Sequence, residues 1–378
     1  MKKVIFISAL AIAAAVSCTK SDIVDTQFDE QIGFENYLGR PAQTKASIAT
    51  TIGEGAGIYG FYTAGADFSV AEDAASEANL WWNHTLTAAG TVSPEKFWTN
   101  DADKYTFLAY APVVTIPEGN TATTLTKTFG TTEAPDGSLV VPTGEKMTNP
   151  TITYNVPATL SNQVDLLWAA ATNVTREGLK KDNLEKVPFQ FHHALARLTV
   201  NASKSTTEKN FEFRVKKIEI SGGFITSDVL TLATGLWTKA GKPAEVTETT
   251  KTTYSFYNEP KNETALTTTA TKYAEHVKDG ELADNYLMMI PVNFTSQAAE
   301  LYVEYTTVYQ GEESTINKAY FDVNTNFEQG KAYAINLVFS KDAKPIEFTV
   351  TVEEWKESTK DADGNVTDDH QQDESVVA

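Results

Sequence analysis

The stretch FEFRVKKIEISG, residues 211–222, decides the fold. Apolar Phe, Val and Ile alternate there with charged and polar residues, and in an extended chain successive side chains point to opposite faces of a sheet. The same alternation runs through YTFLAYAPV (105–113), ARLTVNAS (196–203), AELYVEYTTVY (299–309), KAYAINLVF (331–339) and PIEFTVTVEEW (345–355). These runs are rich in Val, Ile, Thr, Tyr and Phe, and are bounded by Gly, Pro, Asn and Asp, as strands are. No long stretch repeats apolar residues at helical spacing; short helical turns fit SNQVDLLWAAATN (161–173) and the residues around His192. The predicted class is mainly β, built as two tandem antiparallel β-sandwich domains with Greek-key-like connections.

Working outward, the charged segment REGLKKDNLEK (176–186) separates two strand-rich halves of similar size. An N-terminal sandwich over 46–186 and a C-terminal one over 187–356 are each of ordinary domain size. Beyond Trp355 the composition turns polar and acidic, and residues 357–378 are expected to be disordered.

At the other end, Lys2 and Lys3 precede an apolar run from Val4 to Val16, too short to span a bilayer. That is the layout of a secretory signal over residues 1–17. Ala15-Val16-Ser17-Cys18 resembles the lipobox of bacterial lipoproteins, which makes Cys18 the first mature residue and the acylation site. Several acyl chains anchor a protein stably where a single one does not. Cys18 is the only cysteine, so no internal disulfide can form and stability must come from core burial or from partners. The formal net charge of −19 argues against nucleic acid as a partner, because phosphates require a basic surface.

Little in the chain points to catalysis. His192 and His193 are adjacent, so on a strand they face opposite ways and cannot chelate one metal together. No H-E-x-x-H, G-x-S-x-G or phosphate-binding glycine loop is present. DADGNVTDD (361–369) lacks the glycine spacing and closing Glu of a calcium loop and reads as a solvated turn. Neither a metal nor a cofactor is expected. Trp81 and Trp82 in NLWWNHT, near His84, invite a ligand-binding reading, because one of two neighbouring strand residues must point outward. The competing reading has the indoles covering a loop. Trp98, Trp168, Trp237 and Trp355 are expected in the core.

Several separated phrases resemble those of the fimbrillin family of Bacteroidota pilins: IGFENYLGR with QTKAS after the cysteine, EKFWTNDADKYTFLAYAP (95–112), VDLLWA (164–169), VPFQFHHALARLTV (187–200), YLMMIPVNF (286–294), FEQGKAYAINLVF (327–339) and IEFTVTVEEW (346–355). They stand in family order over nearly the whole mature chain. The resemblance implies a lipoprotein of the outer membrane, exposed at the cell surface, that becomes a stalk, tip or anchor subunit of an adhesive fimbrium. It also implies that the lipidated segment 18–45 carries a releasable first strand around Ile32 and Phe34. By the same resemblance, an Arg-specific protease would cut after Arg40, although Pro41 follows it; the alternative position is Lys45. Release would open a groove for a strand from another subunit. The runner-up is a monomeric surface lipoprotein that binds a glycan or host protein through loops such as that around Trp81 and Trp82, with an extracellular hydrolase third.

Overall fold

The computed structural model describes residues 30–38, 52, 55–69, 79–117, 122–131, 134–143, 149–205, 210–239, 241–245, 251–258, 265–273, 275–278, 281–284, 286–341, 346–355, 359–360 and 366–367. A six-stranded sheet orders its strands as Phe34–Leu38, Val187–His193, Leu167–Val174, Lys104–Ala111, Ala56–Ala64 and Asn79–Leu86. All neighbours are antiparallel except the first pair, which is parallel. Both faces of this sheet are covered. Along Lys104–Ala111, Tyr105, Phe107, Ala109 and Ala111 enter one apolar cluster while Leu108 and Tyr110 enter another. The strand read over 105–113 is present as Lys104–Ala111, and it is buried on both sides, as its near-continuous apolar run requires.

A second sheet orders Leu236–Trp237, Ser227–Thr231, Thr151–Asn155, Pro135–Pro142 and Thr124–Gly130. It covers one face of the first: Leu139, Val141, Ile152 and Tyr154 share a cluster with Tyr59 and Trp82, and the Tyr59 hydroxyl donates to the Pro142 carbonyl at 3.0 Å. The expected division at residue 187 falls at the first residue of a strand. Val187–His193 is bonded into the first sheet, and residues 227–237 return to complete the second. Pairing between strands so far apart in the chain leaves no local mark in composition.

The remaining described strands make three two-stranded pairs and two further five-stranded sheets. One holds Ala196–Lys204 between Thr271–Lys272 and Lys331–Phe339, followed by Ile346–Glu354, with Leu287–Met289 also pairing Ala196–Lys204. The other holds Thr252–Asn258, Phe211–Gly222 and Ala299–Tyr309, with Glu312–Glu313 and Asn317–Val323 both on the last of these. They pack face to face through Phe213 on Phe339, Tyr305 on Phe339 and Phe321 on Phe348, at ring separations of 5.8, 5.2 and 5.4 Å. Ala196–Lys204 and Lys331–Phe339 run parallel, a second departure from the antiparallel expectation.

Helix is scarce among the described residues. Arg176–Lys181 forms one α-helix, capped by the Thr175 side chain accepting from Gly178 N, with Glu177 in its first turn and Lys180 and Lys181 in its last, each complementing the helix dipole. Leu160–Asn162 forms a 3-10 turn. That turn overlaps the stretch 161–173 where helical turns are expected, whereas residues 167–173 and those around His192 are strands of the first sheet.

In the tail expected to be disordered, Thr359–Lys360 and Val366–Thr367 pair with each other and with no other described strand. Deleting residues 357–378 is therefore expected to move the melting temperature by less than about 3 °C. A larger drop in a calorimetric scan would show that the tail belongs to one of the sandwich sheets.

Candidate functional site

Residues 30–38 form the feature of the fold with most to say about function. In the extended segment, Ile32 and Phe34 point inward, each 1% exposed, while Glu35 points to solvent. Phe34–Leu38 lies at the end of the first sheet, in parallel register with Val187–Phe191, and the Val187 amide donates to the Gly33 carbonyl at 2.9 Å. The Phe34 ring meets Phe107 edge-on at 5.0 Å, Phe189 at 5.2 Å and Trp81 at 5.9 Å. It is thus central to the aromatic part of the cluster that holds Tyr105 and Phe107, which the loop over 87–98 and the helix close with Val92, Trp98 and Leu179.

The segment is gripped on its other side as well. Ile32 N donates to Lys96 O at 2.8 Å, Phe34 N to Gly90 O at 3.0 Å, and Trp98 N to Glu30 O at 3.1 Å. Asn36 Nδ2 reaches Thr87 O at 3.1 Å. The backbone of 30–36 is therefore threaded between a strand and a loop, so its buried polar groups are paired from both directions. Gly90, at φ +80°, lets the loop come this close: a Cβ there would lie 1.8 Å from the Phe34 carbonyl oxygen.

One ion pair pins the start of the segment. Arg176, the first residue of the helix, is 6% exposed. Its Nε donates to Glu30 Oε2 at 2.6 Å, its Nη2 to Glu30 Oε1, and its Nη1 to the Leu184 carbonyl at 3.1 Å. This two-point fork is the geometry that guanidinium and carboxylate favour. The helix is itself fixed to the neighbouring turn by Glu177 N donating to Asp101 O at 2.8 Å and by Lys180 Nζ on Asp101 Oδ1 at 2.6 Å.

A fimbrillin-like family model matches residues 44–355. The chain belongs to the fimbrillin-like family. The family is one of fimbrial structural proteins, generally without enzymatic activity. The fold is shared with a fimbrial protein from Bacteroides vulgatus, at TM-score 0.55 and 20% identity over 86% of this chain and 99% of that one. Candidate cell adhesion proteins from Bacteroides uniformis (17% identity, TM-score 0.41, 87% and 99% of the two chains) and Bacteroides ovatus (15%, 0.42, 86% and 98%) lie below that level of resemblance. No curated protein sequence matches the chain.

Among the site residues expected in this fimbrillin-like chain, Cys18, Arg40 and Lys45 lie outside the described residues. Trp81 and Trp82 do face opposite sides of their strand, but neither is exposed: they are 1% and 6% accessible. Trp81 packs on Phe34 and donates from Nε1 to Pro94 O at 2.8 Å, while Trp82 packs on Tyr59 and Phe61 at 5.1 and 5.9 Å. The outward-facing reading is corrected because the second sheet covers what would otherwise be a solvent face. Neighbouring Asn83, at φ 50°, sits within a bulge and holds the turn of the strand by accepting from the Tyr110 hydroxyl at 2.6 Å and donating to Val114 O at 3.0 Å. Burial pushes the Tyr110 phenol well up, so it stays a neutral donor. The glycan or host-protein alternative thus loses the aromatic residues proposed for it.

The two histidines also divide as strand geometry requires. His193 is buried, stacked flat on Trp355 at 4.1 Å, with Nδ1 2.9 Å from Asp165 Oδ2. His192 stacks on Trp168 at 5.1 Å, and partial burial together with His193 holds its pKa below the usual histidine value. Of the four tryptophans assigned to the core, Trp98, Trp237 and Trp355 are buried and Trp168 is partly buried. Among the described residues, no group of three His, Cys, Asp or Glu side chains is placed to hold a metal ion. What sequence reading missed is Arg176: a lone arginine in a charged stretch looks like a solvated surface residue, and its partner lies 146 positions away.

Proposed function

We propose that this protein is a subunit of an adhesive cell-surface fimbrium, exported as a lipoprotein, held at the outer membrane through Cys18 and built into the fimbrium after its first strand is removed. Cleavage after Arg40, or after Lys45, would free the segment that carries Glu30, Ile32 and Phe34. Strand Val187–His193 would then present an unpaired edge beside an open aromatic cleft, a template for a strand from another subunit. The observation that carries this reading is the seating of residues 30–38. A short segment at the end of a sheet fills the centre of a core, and outside its own linker it is held only by non-covalent contacts that another extended segment could reproduce.

N-terminal sequencing of subunits sheared from filaments tests it, with palmitate labelling of the same cells. The assembled form is expected to begin at Pro41, or at Ala46 if Lys45 is the cleavage residue, and to carry no label, while the precursor carries it. Arg40→Ala should then leave labelled precursor and few filaments by electron microscopy. Filaments whose subunits still begin at Cys18 would refute release of the first strand.

A further inference from the structure

If the first strand leaves, Arg176 is left behind. With the seat filled its positively charged guanidinium is almost wholly enclosed. Two of its three hydrogen-bonded contacts are to Glu30, which travels with the released segment; the Leu184 carbonyl that remains carries no charge. Among the described residues Arg176 has no other carboxylate partner. A charge stripped of its partner in an enclosed site is strongly unfavourable, so whatever refills the seat is judged first by what it offers Arg176.

Register makes that judgement positional. The Glu30 carbonyl accepts from Trp98, the Ile32 amide donates to Lys96, and the Phe34 amide donates to Gly90, so a strand in the same seat has each of its positions fixed against the loop. The Ile32 and Phe34 positions are sealed from solvent and require large apolar side chains. The Gly33 position is open, because a Cβ there meets only the flexible Lys186 side chain at 3.6 Å. Glu35 faces solvent.

We propose that Arg176 selects the incoming strand by charge. The seat takes an extended segment of another fimbrial subunit with an acidic residue at the Glu30 position and large apolar residues two and four positions later, the last of them aromatic. This rests on the strand-exchange reading above and adds to it the chemistry of the partner.

The test uses the full chain nicked after Arg40, with the N-terminal segment still seated, and follows its displacement by fluorescent nonapeptides. One peptide has the sequence of residues 30–38, EQIGFENYL; two others carry Glu30→Gln and Glu30→Lys. The Gln peptide is expected to bind about 100-fold more weakly than the native one, and the Lys peptide more weakly still. In the Glu30→Lys/Arg176→Glu double variant the order should invert, with the Lys peptide the tightest. Should the double variant not fold, Arg176→Gln serves instead, and there the advantage of the Glu peptide over the Gln peptide should shrink to less than about threefold. Equal affinities of the three peptides for the nicked wild-type chain, or an unchanged order in the variants, would overturn charge selection while leaving strand exchange standing. If no peptide displaces the segment, the native one included, strand exchange itself falls and the selection with it.

Discussion

Phe34→Ala is expected to lower the stability of the intact chain by about 3–5 kcal/mol, the range for truncating a fully buried phenylalanine. The ring is 1% exposed and in contact with three other aromatic rings, so its removal leaves a cavity whose walls, Phe107 and Phe189 among them, stand on central strands that cannot move in to fill it. The effect should be larger than a cavity alone produces, because Phe34–Leu38 is a five-residue strand and Phe34 is its chief apolar anchor. Equilibrium denaturation of Phe34→Ala beside Glu35→Ala checks this, since the exposed Glu35 should change stability by no more than about 0.5 kcal/mol. A loss under about 1 kcal/mol for Phe34→Ala would mean that the first strand is not part of the cooperative core.

Gly90→Ala should act on the same strand from its other side, at a cost of about 2–5 kcal/mol. Two effects combine. The backbone at φ +80° disfavours any side chain, and the new methyl group would overlap the Phe34 carbonyl oxygen at 1.8 Å. That oxygen belongs to backbone and cannot swing aside as the tip of a side chain would. Relief requires moving the loop or the strand, which breaks the Phe34 N to Gly90 O bond. Hydrogen exchange at the Phe34 amide should accelerate far more than exchange in distant strands such as Phe211–Gly222. Uniform loss of protection across the protein would instead indicate global unfolding, and wild-type protection at Phe34 would show that the loop does not clamp the strand.

Strand locations were largely legible in the chain because they depend on period-two burial, a local property. Residues 211–222, 299–309 and 331–339 alternate as strands do and are strands with those limits. What the same periodicity could not convey is which strands pair and how many layers cover them. Trp81 and Trp82 look like an inner and an outer residue until the second sheet, part of it contributed by residues 227–237, is laid over the outer one. Likewise Val187–His193 carries the alternation of any strand, and nothing local says that it completes the first sheet. For the candidate site, the apolar pair Ile32 and Phe34 was visible as a short strand, whereas the Glu30–Arg176 pair depends on the tertiary fold alone.

The linker between Leu38 and Ile52 has a bearing on timing. Ile52 is buried in the same cluster as Phe34, so a connection of little more than a dozen residues joins the strand to the core it fills. A short tether of this kind gives its own strand an effective concentration on the order of millimolar at the seat. A competing strand of equal affinity would have to exceed that concentration to enter, so under the strand-exchange reading only a much better-fitting strand could displace the first strand of an uncut chain. The proposed cleavage in the linker would abolish the advantage without altering any contact in the cleft. The change is from a contest decided by proximity to one decided by affinity.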